Sequence, residues 1–117
     1  MNHRPGNRGL SDIDLTVRDR VAKRVLSEEP ETSAILVRGS YAKRTADRFS
    51  DFDLAALTTA KPVKGYRTWF ESTDSGLLHV SISAREIDEW VASRTGPVSW
   101  SLGFPTQETL LYLYEAS

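Results

Sequence analysis

Apolar residues recur along this chain in two rhythms, and each predicts a different kind of element. Ile13, Val17, Val21 and Val25, flanked by Ala22 and Leu26, fall at helical spacing and predict a first amphipathic helix over Asp12 to Glu29. Ser11 or Asp12 is suited to accept hydrogen bonds from its first turn, and Pro30 blocks continuation. Ser33 to Arg38 (SAILVR) is instead a short apolar run with β-branched members, closed by Gly39 and Ser40, which predicts a buried strand ending in a tight turn. Tyr41 to Ala46 has room for one or two helical turns, a polar loop follows, and Asp51 to Leu57 (DFDLAAL) predicts a second central strand. After a loop over Thr58 to Gly65, Tyr66 to Ser72 and Leu77 to Ser83 predict a hairpin around Thr73-Asp74-Ser75-Gly76. Ala84 to Arg94 places Ile87, Trp90 and Val91 on one helical face and stops at Gly96-Pro97, so a second amphipathic helix is expected. Trp100 to Pro105 reads as loop and Thr109 to Glu115 (TLLYLYE) as a closing strand.

Together these elements predict an α/β fold: a small mixed, twisted sheet with helices mainly on one face, formed by residues 11–117 behind a flexible arm over 1–10. A chain of 117 residues fits one domain, and 39% hydrophobic with 26% charged residues is an ordinary globular composition. Fifteen Lys and Arg against sixteen Asp and Glu give a net charge of −1, so the chain has no overall field to gather nucleic acid or an anionic membrane, and any phosphate binding has to be local. The absence of cysteine excludes disulfides and thiolate metal sites. With no apolar run long enough to span a bilayer, a cytoplasmic location is the expectation.

The stretch that carries chemistry is Gly39 to Leu54, GSYAKRTADRFSDFDL. Asp51 and Asp53 stand two apart in a predicted strand, so their carboxylates share a face at a spacing of about 7 Å between alpha carbons, while Phe52 and Leu54 turn to the core. Paired carboxylates form a hard-oxygen site suited to Mg²⁺, which fills its remaining positions with water and phosphate oxygens. Gly39 permits close backbone approach, Ser40 adds a hydroxyl donor, and the amides opening the helix that follows can donate to phosphate oxygens. The same acid-apolar-acid pattern at Asp12-Ile13-Asp14 follows no Gly-Ser turn and is explained by favourable charge at a helix start.

An apolar strand, Gly39-Ser40, a spacer of about ten residues and Asp51-Phe52-Asp53 resemble the polymerase beta-like nucleotidyltransferases, most strongly over Ile35 to Leu57. That superfamily includes aminoglycoside nucleotidyltransferases and minimal nucleotidyltransferases, some of which act as antitoxins on a partner protein. The resemblance implies that Gly39 and Ser40 bind a triphosphate and that Asp51 and Asp53 are catalytic and hold Mg²⁺; Lys43, in the short helix after the turn, is read from its position alone as a further candidate phosphate contact. It implies transfer of a nucleoside monophosphate, AMP from ATP in the first instance, to a hydroxyl of a protein or small molecule, with pyrophosphate released. A catalytically impaired module that binds nucleotide or a partner protein without turnover is the alternative.

The sequence departs from the family pattern twice, and the first departure motivates that alternative. The third carboxylate of the family falls at Ser81, and a serine cannot replace it as base; His79, on the same face, is a possible proton acceptor but a poor Mg²⁺ ligand. Glu71 is another acid nearby in sequence, without an assigned place. Antibiotic-modifying members of the family usually carry an added helical region that supplies the acceptor site, whereas Ser117 follows closely on the expected last strand here, so the expectation is either an acceptor bound through a partner or another subunit, or a sequence that is a fragment of a longer protein. Arg38 and Arg44 are as ambiguous as Lys43 between phosphate contact and solvated surface, and the aromatic residues Trp69, Phe70, Trp90, Trp100, Tyr112 and Tyr114 divide between core and a stacking surface.

Overall fold

The computed structural model describes residues 6–95 and 111–116. Its elements follow in the order α1 (Leu15–Glu28), β1 (Thr32–Arg38), α2 (Gly39–Lys43), β2 (Phe52–Thr58), β3 (Tyr66–Thr73), β4 (Gly76–Glu86), α3 (Ile87–Thr95) and β5 (Leu111–Glu115). Local chemistry sets the ends that periodicity misplaces. Asp12 closes a 3-10 turn over Leu10–Asp12, its Oδ2 accepting the Gly9 amide at 2.7 Å, so the helix starts at Leu15 with Asp14 as its N-cap. The second long helix begins at Ile87 rather than Ala84, because Ala84, Arg85 and Glu86 extend the parallel ladder beside Ala56, Leu57 and Thr58. Of the expected arm, residues 1–5 lie outside the described residues, while Arg8 exchanges two backbone hydrogen bonds with Ala46 at 2.9 and 3.2 Å. The expected loop over Trp100 to Pro105 and the first residues of the expected last strand also lie outside them.

The sheet is mixed, in the order β3-β4-β2-β1-β5; β2 and β4 are parallel and the other neighbours antiparallel. Strand alternation sorts its side chains into two unlike faces. On one, Ile35, Val37, Phe52, Leu54, Ala56, Val80 and Ile82 join Val17, Val21 and Val25 of α1 and Tyr41 and Ala42 of α2 in the main core. On the other, Leu36, Ala55 and Leu57 form a smaller cluster beneath Ile87 and Trp90 of α3. The expectation of helices mainly on one face is therefore met by α1 and α2 but not α3, which crosses to the apolar patch that β1 and β2 leave on the far side.

One polar group fastens this layering. Glu29, just past α1 and only 5% exposed, accepts the backbone amides of Val63, Lys64 and Gly65 at 2.6, 2.8 and 3.0 Å. Gly65 has φ of 74°, a left-handed conformation that glycine adopts without steric cost. Alongside, Glu28 pairs with Arg67 and Lys64, and Arg24 and Arg67 lie over the ring of Trp69. Among the described residues no helix is long and apolar enough to cross a membrane.

Candidate functional site

The register of the sheet builds the site in rungs across the face opposite α1. In the first, Asp51 stands at the entry to β2 beside His79 of β4, and His79 pairs with Phe70 of β3. The next contains Arg38, Asp53, Ser81 and Thr68, contributed by β1, β2, β4 and β3. Leu36, Ala55, Ser83 and Tyr66 make the third.

Gly39 brings the turn to these rungs. Its φ of 64° bends the chain from β1 straight into α2, and a methyl group placed on its alpha carbon would stand 3.6 Å from Oδ2 of Asp53. Ser40 follows in the first turn of α2, partly buried, and its carbonyl accepts the Thr45 amide at 2.8 Å. Arg44 closes the helix in the left-handed conformation, φ 59°. Its guanidinium reaches back to within 3.5 Å of the Ser11 hydroxyl. Lys43 is exposed on the last turn of α2. The sequence-predicted residues Gly39, Ser40, Asp51 and Asp53 thus gather at one end of the sheet.

Asp51 is presented by a tight polar turn in which Asp47 accepts the Phe49 amide at 2.8 Å and the Ser50 hydroxyl receives the Asp47 amide at 2.9 Å. Its Oδ1 lies 2.8 Å from Nδ1 of His79, and the imidazole stacks on Phe70 with ring centres 4.8 Å apart. Ser81 stands directly beside Asp53, where the third carboxylate was expected, with its Oγ 3.5 Å from the Tyr66 hydroxyl. Glu71 is excluded from supplying that acid here: it faces α1, where its carboxylate accepts from Trp69 Nε1 at 2.7 Å and pairs with Arg20 at 3.1 Å. Its place two residues from Trp69, a core residue on the α1 side, was the signal.

Asp51 and Asp53 offer hard oxygen donors, and Mg²⁺ needs only one or two protein carboxylates when phosphates complete its shell. Among the described residues no cluster of three or more His, Cys, Asp or Glu side chains could hold a metal by itself. Two carboxylates alone would leave most positions of such an ion to water or other oxygen ligands.

Sequence reading missed three features. Arg38 flanks Asp53 because the antiparallel register of β1 and β2 brings together residues 15 positions apart. The Asp51–His79 pair joins two strands across the parallel ladder. Beyond the Asp53 rung, Arg38, Ala55, Ser83, Arg85, Trp90 and Ser93 line a cleft of about 310 Å³ between the sheet and α3. The aromatic residues also separate: Trp69 is core, Trp90 and Tyr114 are half-buried, Phe70 and Tyr112 are exposed, and Trp100 lies outside the described residues. Compared with known proteins, the chain matches no protein-family model and no curated sequence.

Proposed function

We propose that this chain is a nucleotidyltransferase domain of the polymerase beta-like kind, which moves a nucleoside monophosphate, AMP from ATP in the first instance, to a hydroxyl of a protein or small molecule in the cytoplasm. The observation that carries this reading is the approach of the left-handed Gly39 to the Asp53 carboxylate, with Ser40 and Asp51 at the same end of the sheet. The turn supplies backbone amides and the Ser40 hydroxyl to the triphosphate, and the exposed Lys43 adds a cationic contact to its outer phosphates. Asp51 and Asp53 are the residues that would hold Mg²⁺, which when bound offsets the charge of the phosphate oxygens.

Transfer forms a bond between the acceptor oxygen and the α-phosphorus and breaks the bond from that phosphorus to the α–β bridging oxygen. Pyrophosphate departs with the bonding electrons, and the acceptor proton passes to water. Ser81 contributes no base to this step. Asp51 holds the His79 ring through Nδ1 and so fixes its orientation at the rim of the site. Neither nucleic acid nor a membrane is expected as a partner of a chain with net charge −1.

A specific observation favours the second reading, a module that binds nucleotide or a partner protein without turnover. Asp53 lies between Arg38 and Ser81, so it has a cationic neighbour on one side and lacks a helping carboxylate on the other. Calorimetry with each nucleoside triphosphate, with and without Mg²⁺, followed by assay of pyrophosphate release, separates the two. Metal-dependent binding with release that Asp53→Asn abolishes, while its circular dichroism is unchanged, establishes transfer. Binding without release establishes the second reading, and release retained by Asp53→Asn removes the assignment of that residue.

A further inference from the structure

The cleft beyond Asp53 has a composition of its own. Two guanidinium-bearing residues, Arg38 and Arg85, two hydroxyls, Ser83 and Ser93, and the indole of Trp90 line it, and no lining residue is acidic. Its volume of about 310 Å³ is that of a small-molecule site. Arginine matches phosphate and carboxylate oxygens with a planar fork of donors, and an indole beside it gives a flat apolar wall.

Position adds what composition leaves open. Along the strands, the Gly39 turn lies level with the start of β2, Asp53 follows, and Ala55, Ser83 and Arg85 come next on the same face. Asp53 therefore stands between the turn and the cleft. An in-line displacement at phosphorus needs the attacking oxygen opposite the departing pyrophosphate. With the triphosphate tail at Gly39 and Ser40, the attacking hydroxyl comes from the side of the cleft.

We propose that this cleft is the acceptor site and that it takes an anionic small molecule, one bearing a phosphate or carboxylate together with the hydroxyl that is modified, and disfavours polycationic acceptors such as amine-rich sugars. It rests on the nucleotidyl-transfer reading for its role in the reaction, but not for its affinity for anions. The acceptor oxygen bonds to the α-phosphorus, the bridging oxygen leaves with pyrophosphate, and the hydroxyl proton goes to water, so no oxidant or reductant is required.

The test is a ¹H–¹⁵N NMR titration of the full chain with glycerol 3-phosphate, which carries both a dianion and hydroxyls, and in parallel with the polyamine spermidine. Saturating shifts are expected at the Ser83 and Arg85 amides and the Trp90 indole, with binding weakened about tenfold in the exposed-site variant Arg85→Gln and only partly in Arg85→Lys. Mg-ATP is expected to shift Gly39 and Asp53 without displacing glycerol 3-phosphate. Equal binding by Arg85→Gln, or tighter binding of spermidine at the same residues, overturns the anion site. Displacement by Mg-ATP makes the cleft part of the nucleotide site and overturns its role as acceptor site. Absence of any Mg-ATP shift at Gly39 and Asp53 also overturns the acceptor role, as a failure of nucleotidyl transfer distinct from failure of the anion site.

Discussion

The two faces of the sheet use the same strands for opposite purposes. On the α1 side, Phe52, Leu54, Val80 and Ile82 are nearly or fully sealed from water. On the far side their sequence neighbours are Asp51, Asp53, His79, Ser81 and Ser83, all at least partly open to solvent. Parity thus turns a residue of β2 or β4 toward the α1 core or toward the far face, where Ala55 and Leu57 are covered by α3 and the polar residues are left open, and the packed face holds the open one in register. Stability should accordingly belong to one face and ligand binding to the other.

Substituting one residue on each face is the strongest way to break that contrast. Phe52→Ala, in the sealed core, is expected to lower the unfolding free energy by about 3–5 kcal/mol, whereas Phe70→Ala, at a position 63% exposed, should stay within about 0.5 kcal/mol, both read from urea denaturation. Similar losses at the two sites would dissolve the distinction.

Next in size is Glu29→Ala, which leaves the amides of Val63, Lys64 and Gly65 without their acceptor and should cost about 2–4 kcal/mol in the same experiment. Gly39→Ala sits on the boundary between the faces. Strain at φ 64° should cost only about 1–2 kcal/mol of stability, while Mg-ATP affinity in calorimetry falls by far more than that of a surface control. An alanine variant that binds nucleotide normally would detach the turn from the site.

The smallest expected effect is a pH dependence on the core side. Partial burial acts to raise the Glu28 carboxyl, but the hydrogen bond and charge of Arg67, with Lys64 behind them, outweigh it, and its pKa lies below the ordinary 4.5. The unfolded chain therefore binds this proton more readily, so the contribution is present above about 4.5 and is lost as pH falls through the lower folded value. Unfolding free energies measured down through that window should fall less steeply for Arg67→Gln than for the natural chain. Parallel profiles would show that the ion pair is too well screened to matter.

Much of this division was legible in the chain itself. Alternation in DFDLAAL already separated Phe52 and Leu54 from Asp51 and Asp53, and Gly39-Ser40 marked the turn that meets them. Helix ends were less legible, because Asp12 and Ala84 follow local hydrogen bonds and ladder pairing rather than apolar periodicity. What could not be read was contact across strands. Neither Arg38 beside Asp53 nor His79 against Asp51 follows from spacing, since both depend on which strands become neighbours and in what register.

The Glu29 carboxylate divides the β2–β3 connection into two halves of unequal tolerance. Extra residues spliced in between Thr59 and Pro62 would bulge into solvent, because that stretch lies outside the three-amide grip. The same insertion among Val63, Lys64 and Gly65 would pull amides out of that grip, because the pairing of β3 with β4 already fixes where Tyr66 must begin. A single acidic side chain just past the first helix thereby anchors the point at which the chain enters the distant hairpin.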